Sequence, residues 1–104
     1  MKKINQFFID MFGEDLSDTK VFFISLTGRA GYYDPDDDVV YINSDYNTLT
    51  RELTLVHEYT HRMVLIKGWC ISIDLEEEYC KHVTLLYVEQ VFGAEAIELV
   101  KDLV

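Results

Sequence analysis

Apolar residues follow a helical spacing along four segments of the chain, and three strand-like segments lie between the first two of them. The helical segments have apolar side chains three or four residues apart, and they are residues 3–12, 49–67, 75–92 and 94–104. The strand-like segments are rich in β-branched and aromatic residues, and they are 21–26, 29–33 and 39–43. We therefore expect an α+β domain. A small three-stranded, mostly antiparallel sheet should pack on two long helices, with helical segments at both ends.

Residues that favour turns and helix ends support these boundaries. Asn47 or Thr48 could cap the first long helix, and Asp74 could cap the second. Residues 34–38 read DPDDD, a composition typical of a solvated turn. Three of the helical segments are each followed by a glycine, where helices commonly stop, and these are Gly13, Gly68 and Gly93.

The first long helix contains the pentapeptide HEYTH at residues 57–61. His57 and His61 are one helical turn apart, so both imidazoles lie on one face and can bind one tetrahedral zinc ion. Glu58 points to the neighbouring side, where it can reach a metal-bound water. This is the metallopeptidase pattern H-E-x-x-H, in which a metal-activated water hydrolyses the peptide bond and the glutamate is the general base.

A catalytic zinc site takes a third protein ligand, and the acidic start of the second long helix could supply it. A short carboxylate reaches the metal only where the two helices pack closely, which favours small residues on the ligand's side of the helix. Glu77 is followed on its side by Cys80 and Thr84, whereas its acidic neighbours have bulkier residues at the equivalent place. The spacing favours Glu77 and leaves three alternatives, which are Glu78, Glu76 and His82.

The motif and the acidic helix together resemble the gluzincin metallopeptidases, the thermolysin-like clan. Several of those families have a small residue three positions after the ligand glutamate, as Cys80 follows Glu77, but Asp or Asn where this chain has Lys81. Residues 31–61 also resemble the sheet-to-helix passage of ImmA/IrrE-type peptidases. With 104 residues, the whole chain is similar to the minigluzincins, the minimal single-domain members of the clan. The resemblance covers roughly residues 20–90 and is most specific at HEYTH.

The resemblance implies a mode of substrate binding. Related enzymes bind extended substrate along an edge strand above the active-site helix, by main-chain pairing. That strand would be 39–43 here, and the substrate-binding residues would be Val40, Tyr41, Ile42 and Asn43. The oxyanion of the reaction also needs a donor, for which the candidates are Tyr32, Tyr33, Tyr59 and Tyr79.

The resemblance also leaves more than one function open. Minigluzincins are zymogens, so the apolar tail after Gly93 could occupy the cleft and hold the enzyme latent, although a packed terminal helix explains the same pattern. ImmA-like proteins act on a single protein partner, so the chain could instead be a metal-dependent regulator. A non-catalytic zinc-binding module is a third hypothesis, against which Glu58 speaks because a structural site needs no base.

Composition narrows the partners and the location. Nine basic and 19 acidic residues give a formal net charge of −10, which repels phosphate and argues against nucleic acid. The chain, residues 1–104, is short enough for one domain. It has no visible signal peptide and no apolar stretch of membrane-spanning length, so we expect a cytoplasmic protein that acts on a peptide or protein substrate. Cys70 and Cys80 are too few for a disulfide framework and have no CxxC spacing.

Overall fold

The computed structural model describes residues 1–104 and confirms the α+β class with three strands and four helices. The last predicted helix, 94–104, is shorter than expected. None of the helices combines the length and the apolar character that a membrane span requires. In chain order the elements are α1 (Lys2–Phe12), β1 (Lys20–Ile24), β2 (Gly31–Asp34), β3 (Val39–Asn43), α2 (Thr48–Lys67), α3 (Ile73–Phe92) and α4 (Ala96–Val100).

The sheet is mixed, which corrects the expectation of a mostly antiparallel one. Its strand order is β1-β3-β2, with β3 parallel to β1 and antiparallel to β2. The prediction that 39–43 is the edge strand was wrong, because both edges of β3 are paired. Because β1 and β3 pair on one side and β2 and β3 on the other, none of Val40, Tyr41, Ile42 and Asn43 offers a free main-chain edge to a substrate. Val40, Ile42 and Asn43 are also buried, and Tyr41 is half-buried. The run of apolar residues in β3 is typical of such a covered, central strand.

The hydrophobic core lies between the inner face of the sheet and the helices. The long helices α2 and α3 pack against each other, and α2 also packs on β2 and β3. Helix α1 joins this core through two aromatic rings. Phe8 packs on Tyr59 of α2 with ring centroids 5.9 Å apart, and Phe7 packs edge-to-face on Tyr87 of α3 at 5.3 Å. Burial of each ring contributes about 1.5–3 kcal/mol, so α1 ties the two long helices together.

The ends of the long helices are set by side-chain caps and glycine. Of the two candidates at the start of α2, Asn47 is the cap, and its side-chain oxygen accepts from the main-chain amide of Thr50 at 2.8 Å. Gly68 ends this helix in the left-handed conformation, with φ of 68°. The prediction that Asp74 caps α3 was wrong. Ser72 is the cap, and Asp74 lies in the first helical turn, where a carboxylate also suits the helix dipole.

The buried guanidinium of Arg62 fixes α2 against the sheet. It donates two hydrogen bonds to the Asp38 carboxylate, at 2.8 and 3.0 Å, and one to Asp18 at 2.9 Å. The Arg62 guanidinium lowers the pKa of Asp38 to about 2, and the hydroxyl of Tyr33, which donates to the same carboxylate, adds to this effect. Because Asp38 closes the β2–β3 turn, this contact sets the position of β2 above α2.

Candidate metal centre and cleft

The two histidines of HEYTH lie on the face of α2 that packs towards α3. Their ring centroids are 5.2 Å apart, and both side chains are half-buried. Burial lowers the pKa of His57, an effect that exceeds the opposing influence of Glu77. The neutral imidazole is the form that binds a metal. The helical spacing therefore gives the pair that the sequence predicts.

The Glu77 carboxylate spans both imidazoles. Its Oε2 lies 3.1 Å from Nε2 of His57, and its Oε1 lies 2.9 Å from Nε2 of His61. Around a tetrahedral zinc ion with ligand bonds of about 2.0–2.1 Å, the donor atoms are about 3.3 Å apart. The two contacts of Glu77 are slightly shorter than this spacing, and the two nitrogens and the carboxylate are donors of the kind that zinc binds.

The carboxylate of Glu76 contacts the other nitrogen of one histidine. Its Oε2 lies 2.5 Å from Nδ1 of His61. A proton on Nδ1 leaves Nε2 with a free lone pair, and metal-binding histidines commonly have a carboxylate partner of this kind. The sequence suggested Glu76 as an alternative ligand, whereas the structure places its carboxylate against the far nitrogen of His61.

The remaining two alternative ligands lie away from the histidine pair. Glu78 is exposed and faces Lys81, with 3.6 Å between its Oε1 and the lysine Nζ. His82 is exposed on the same helix. Each helical residue is rotated by about 100° from the one before, so the two side chains point away from the face that Glu77 occupies.

A cysteine also reaches this cluster. Ligand atoms of His57, His61 and Cys80 lie within 4.8 Å of one another, and these three residues could hold a metal ion. Cys80 is fully buried, and burial raises the pKa of its thiol well above the usual range, with a further contribution from the neighbouring Glu77. Sequence reasoning set this cysteine aside because it lacks a CxxC partner. Its position three residues after Glu77 was the signal that it faces the same side.

Glu58 is buried beside the histidines and lines the same cleft. Burial raises its pKa to about 7, against the smaller opposing effects of His61 and of the Tyr33 main-chain amide. A carboxyl group with this pKa can accept and release a proton near neutral pH.

The cleft in front of these residues has a volume of about 580 Å³. One wall is the edge strand β2 with its flanking residues, and the other walls are the middle of α2, the start of α3 and Trp69 between them. The lining residues are Arg29, Gly31, Tyr32, Tyr33, Pro35, His57, Glu58, His61, Val64, Leu65, Trp69, Glu76 and Glu77.

Close contact between β2 and its neighbours depends on Gly31. A Cβ atom at this position would lie 2.6 Å from the main-chain oxygen of Tyr41 and 2.8 Å from Cγ2 of Thr54. Both distances are shorter than a van der Waals contact, so only glycine lets β2 approach this closely.

A smaller pocket of about 150 Å³ continues from the cleft along α2. The two cavities share Gly31, His57 and Glu58, and Val104 is among the residues that line the smaller one. No residue of the predicted tail lines the larger cleft. Val104 therefore forms part of the wall of a pocket that His57 and Glu58 also line.

The four tyrosines considered as oxyanion donors have different surroundings. Tyr32 and Tyr33 line the cleft, but Tyr33 donates its hydroxyl to Asp38 at 2.7 Å. Tyr32 stacks on Tyr41 at 4.9 Å, and the Arg29 guanidinium lies 4.9 Å from the Tyr32 ring centroid. Neither Tyr59, which is buried, nor Tyr79, which packs on Trp69, lines the cleft.

We compared the chain with protein-family models, with curated proteins and with solved structures, and none of them matches it. The side chains of this site and their geometry are therefore the only basis for assigning a function.

Proposed function

We propose that this chain is a zinc-dependent peptidase of the gluzincin type. Its metal ligands would be His57, His61 and Glu77, and Glu58 would be the general base. The observation behind this proposal is the position of Glu77, whose two carboxylate oxygens lie 2.9 and 3.1 Å from the Nε2 atoms of histidines on adjacent turns. Two imidazoles and one carboxylate are the ligand set of open, catalytic zinc sites.

The protein's own residues would divide the work of hydrolysis. Bound zinc would supply a Lewis acid that polarises the scissile carbonyl and acidifies the attacking water. Glu58 would accept a proton from that water and donate it to the leaving amine, since its buried carboxylate lines the same cleft as the histidines. Glu76 holds the His61 ring in place through Nδ1.

The free edge of β2 is the place where an extended substrate would pair. It borders the cleft directly, whereas the central strand β3 does not. Leu65 and Trp69 are 53% and 45% exposed at one end of the cleft and would contact an apolar side chain. Arg29 is the one cationic side chain that lines the cleft, and it would attract a substrate carboxylate or the oxyanion.

A latent state is part of the proposal. Val104 lines the pocket that shares His57 and Glu58 with the cleft, so the tail would narrow one half of an extended substrate site. The other half, towards Trp69, has no tail residue in it. A narrowing of this kind would weaken substrate binding without blocking the metal.

The direct test is metal content together with proteolysis. The purified chain should bind one zinc ion, and it should cleave an unfolded protein or a peptide library. Glu77→Gln should lose the metal, whereas His82→Gln, a change of an exposed residue on the same helix, should keep it. A chain that binds no zinc, or a Glu77→Gln variant that retains a full equivalent, would contradict the assignment.

A second candidate function is a metal-dependent regulator that acts on one protein partner. The segment from the end of α2 into α3 exposes a run of large apolar side chains next to the cleft, and exposed apolar patches mark protein contact sites. A purified chain that binds zinc and cleaves no unfolded protein would favour this function. The exposed residues are Leu65, Ile66, Trp69, Ile71, Ile73 and Leu75.

A further inference from the structure

The free edge of β1 lies on the opposite side of the sheet from the cleft. β1 pairs with β3 alone, and no helix packs extensively against it. Phe22, Phe23 and Ile24 are 51%, 46% and 41% exposed. Edge strands are usually protected by charged residues, proline or bulges, but the only charged residue in β1 is Lys20 at its start. Such an unprotected apolar edge is a site for pairing with another strand.

The main-chain groups on this edge alternate in a definite order. Ile24 directs its carbonyl to β3, where it accepts from the Ser44 amide at 2.8 Å. In a parallel pair the residues that bond to the neighbouring strand alternate along the chain, so Phe22 also faces β3. Val21 and Phe23 therefore direct their amides and carbonyls to the free edge.

We propose that a second copy of this chain pairs here, β1 against β1 in antiparallel orientation, with the twofold axis passing through Phe22. This register places Val21 opposite Phe23 of the second copy, and the outward amides and carbonyls of both meet as a hydrogen-bonded pair. Twofold symmetry repeats the pair on the other side of the axis. A shift by one residue would place inward-facing groups opposite outward-facing ones. The main chain therefore allows only registers that differ by two residues, and the side chains have to decide among them.

The side chains favour the same arrangement. Phe22 stacks on Tyr41 with ring centroids 6.0 Å apart, and Tyr41 stacks on Tyr32 at 4.9 Å, which makes an aromatic row across the outer face of the sheet. In the dimer the two Phe22 rings are direct neighbours in a non-hydrogen-bonded pair, where side chains are closest. The row then runs without a break across six strands.

Charge also matches across the axis. Ser25 follows β1 and donates to Asp45 at 2.6 Å, which holds that carboxylate at the end of the strand. Antiparallel pairing brings Lys20 of one copy towards this end of the other, where its charge is opposite to that of Asp45. Each copy has a formal net charge of −10, and the resulting long-range repulsion weakens at about 0.15 M salt.

Analytical ultracentrifugation of the full chain over a concentration series tests the dimer. We expect a monomer–dimer equilibrium that Phe22→Lys shifts to monomer, because it places like charges opposite each other. Leu99→Lys is the matched control, since Leu99 is 83% exposed on α4, and it should dimerise as the unmodified chain does. A chain that stays monomeric near millimolar concentration would overturn the proposal, and so would a dimer that Phe22→Lys leaves intact or an assembly that keeps growing.

Crosslinking tests the register, and it does not depend on a destabilising charge. In a Cys70→Ser background, Phe22→Cys should form an intermolecular disulfide on mild oxidation, because the two copies of this residue face each other. Ile24→Cys, two residues along the same strand, should not, because it faces Lys20 of the second copy. Equal crosslinking of both variants, or none with Phe22→Cys, would exclude the proposed pairing.

Discussion

Glu77 is the side chain whose position most constrains the chemistry of the site. Its two oxygens each contact a different histidine, at 2.9 and 3.1 Å, which neither neighbouring glutamate can do. Glu76 contacts the far nitrogen of His61, and Glu78 is directed to solvent near Lys81. Three consecutive acidic residues in one helical turn therefore have different surroundings. Glu77 is the proposed ligand, Glu76 contacts His61 from the far side, and Glu78 is solvated.

Replacement of Glu58, the proposed general base, should strongly slow hydrolysis while zinc still binds. We expect Glu58→Gln to keep one zinc ion per chain and to lower kcat by about 10²–10⁴, the usual contribution of general acid–base catalysis. The amide has nearly the same shape as the carboxyl group but cannot accept the proton. Metal analysis and peptide cleavage on the same preparation measure both properties. Undiminished cleavage would show that Glu58 has another role.

Cobalt substitution decides between Glu77 and Cys80 as the third ligand. We expect the cobalt form to show no thiolate-to-cobalt charge-transfer band, and Cys80→Ser to bind cobalt as well as the unmodified chain does. Glu77→Gln should lose the ion, because only this carboxylate reaches both Nε2 atoms. Cys70→Ser is the control for the exposed thiol. A charge-transfer band that disappears in Cys80→Ser would make the thiolate a ligand.

At the residue scale, the sequence indicates the parts of the site that depend on local spacing. His57, Glu58 and His61 lie within two turns of one helix, so their relation follows from its pitch. The contact of Glu76 with His61 and the burial of Arg62 depend on how separate elements pack. No spacing along the chain encodes those contacts, which is why the sequence did not predict them.

The strand β2 forms one wall of the cleft, and it packs closely on α2 along its length. Three of its four residues line the cleft, as do Arg29 and Pro35 beside it, and the Arg62–Asp38 contact holds its far end. The strand is the proposed platform for substrate. A change that moves it should therefore alter stability and activity together.

Gly31→Ala should displace this strand. The added methyl group would lie 2.6 Å from the Tyr41 carbonyl oxygen and 2.8 Å from Thr54, and overpacking of this kind costs about 1–3 kcal/mol. Denaturant unfolding should show this loss, with lower kcat/KM for peptides. Thr54→Ser removes one of the two contacts, so the double variant should recover part of the stability. If Gly31→Ala has unchanged stability, the strand does not need this close approach.

Removal of the last four residues tests the role of the tail. Deletion of 101–104 takes Val104 out of the pocket beside His57 and leaves Val100, which is buried in the core, in place. We expect kcat/KM for peptides to rise, with little change in melting temperature. Lys101→Ala keeps Val104 and is the control. Unchanged cleavage by the shortened chain would assign the tail a packing role alone.

At the element scale, the sequence predicts where helices and strands lie but not how the strands are ordered. Three strand-like segments in succession suggested a mostly antiparallel sheet, and the resemblance to related enzymes placed 39–43 at its edge. The observed order places β1 parallel to β3 instead. The nearly unbroken apolar run of β3, compared with the mixed composition of β2, was the available signal that β3 is the covered strand.

For the molecule as a whole, the Arg62–Asp38 contact predicts a dependence of stability on pH. Arg62 lowers the pKa of Asp38 from 3.8 to about 2 in the folded state. A depressed pKa stabilises the fold above the unfolded value and loses its effect as pH falls from about 4 to about 2. The Asp38 side chain is 53% exposed, so solvent screening limits the contribution to about 1 kcal/mol.

Asp38→Asn is the variant that isolates this contribution. Asn tolerates the left-handed backbone of this position, where φ is 55°. We expect the variant to be less stable at pH 7 and the two unfolding free energies to converge near pH 2. Denaturant melts across this range measure the difference. A difference that stays constant with pH would mean that ionisation of Asp38 does not contribute.

The parallel pairing of β1 with β3 also affects the order in which the fold assembles. β2 and β3 are joined by a tight turn, and hairpins of this kind close within about 1–10 μs. β1 bonds to β3 only when the chain closes a loop that contains β2 and both of its connections. This loop is longer than the β2–β3 turn, so its closure is the slower event. In a newly made chain the β2–β3 hairpin, which walls the cleft, would thus form before β1 docks. The apolar residues VFFI of β1 would remain exposed until that step.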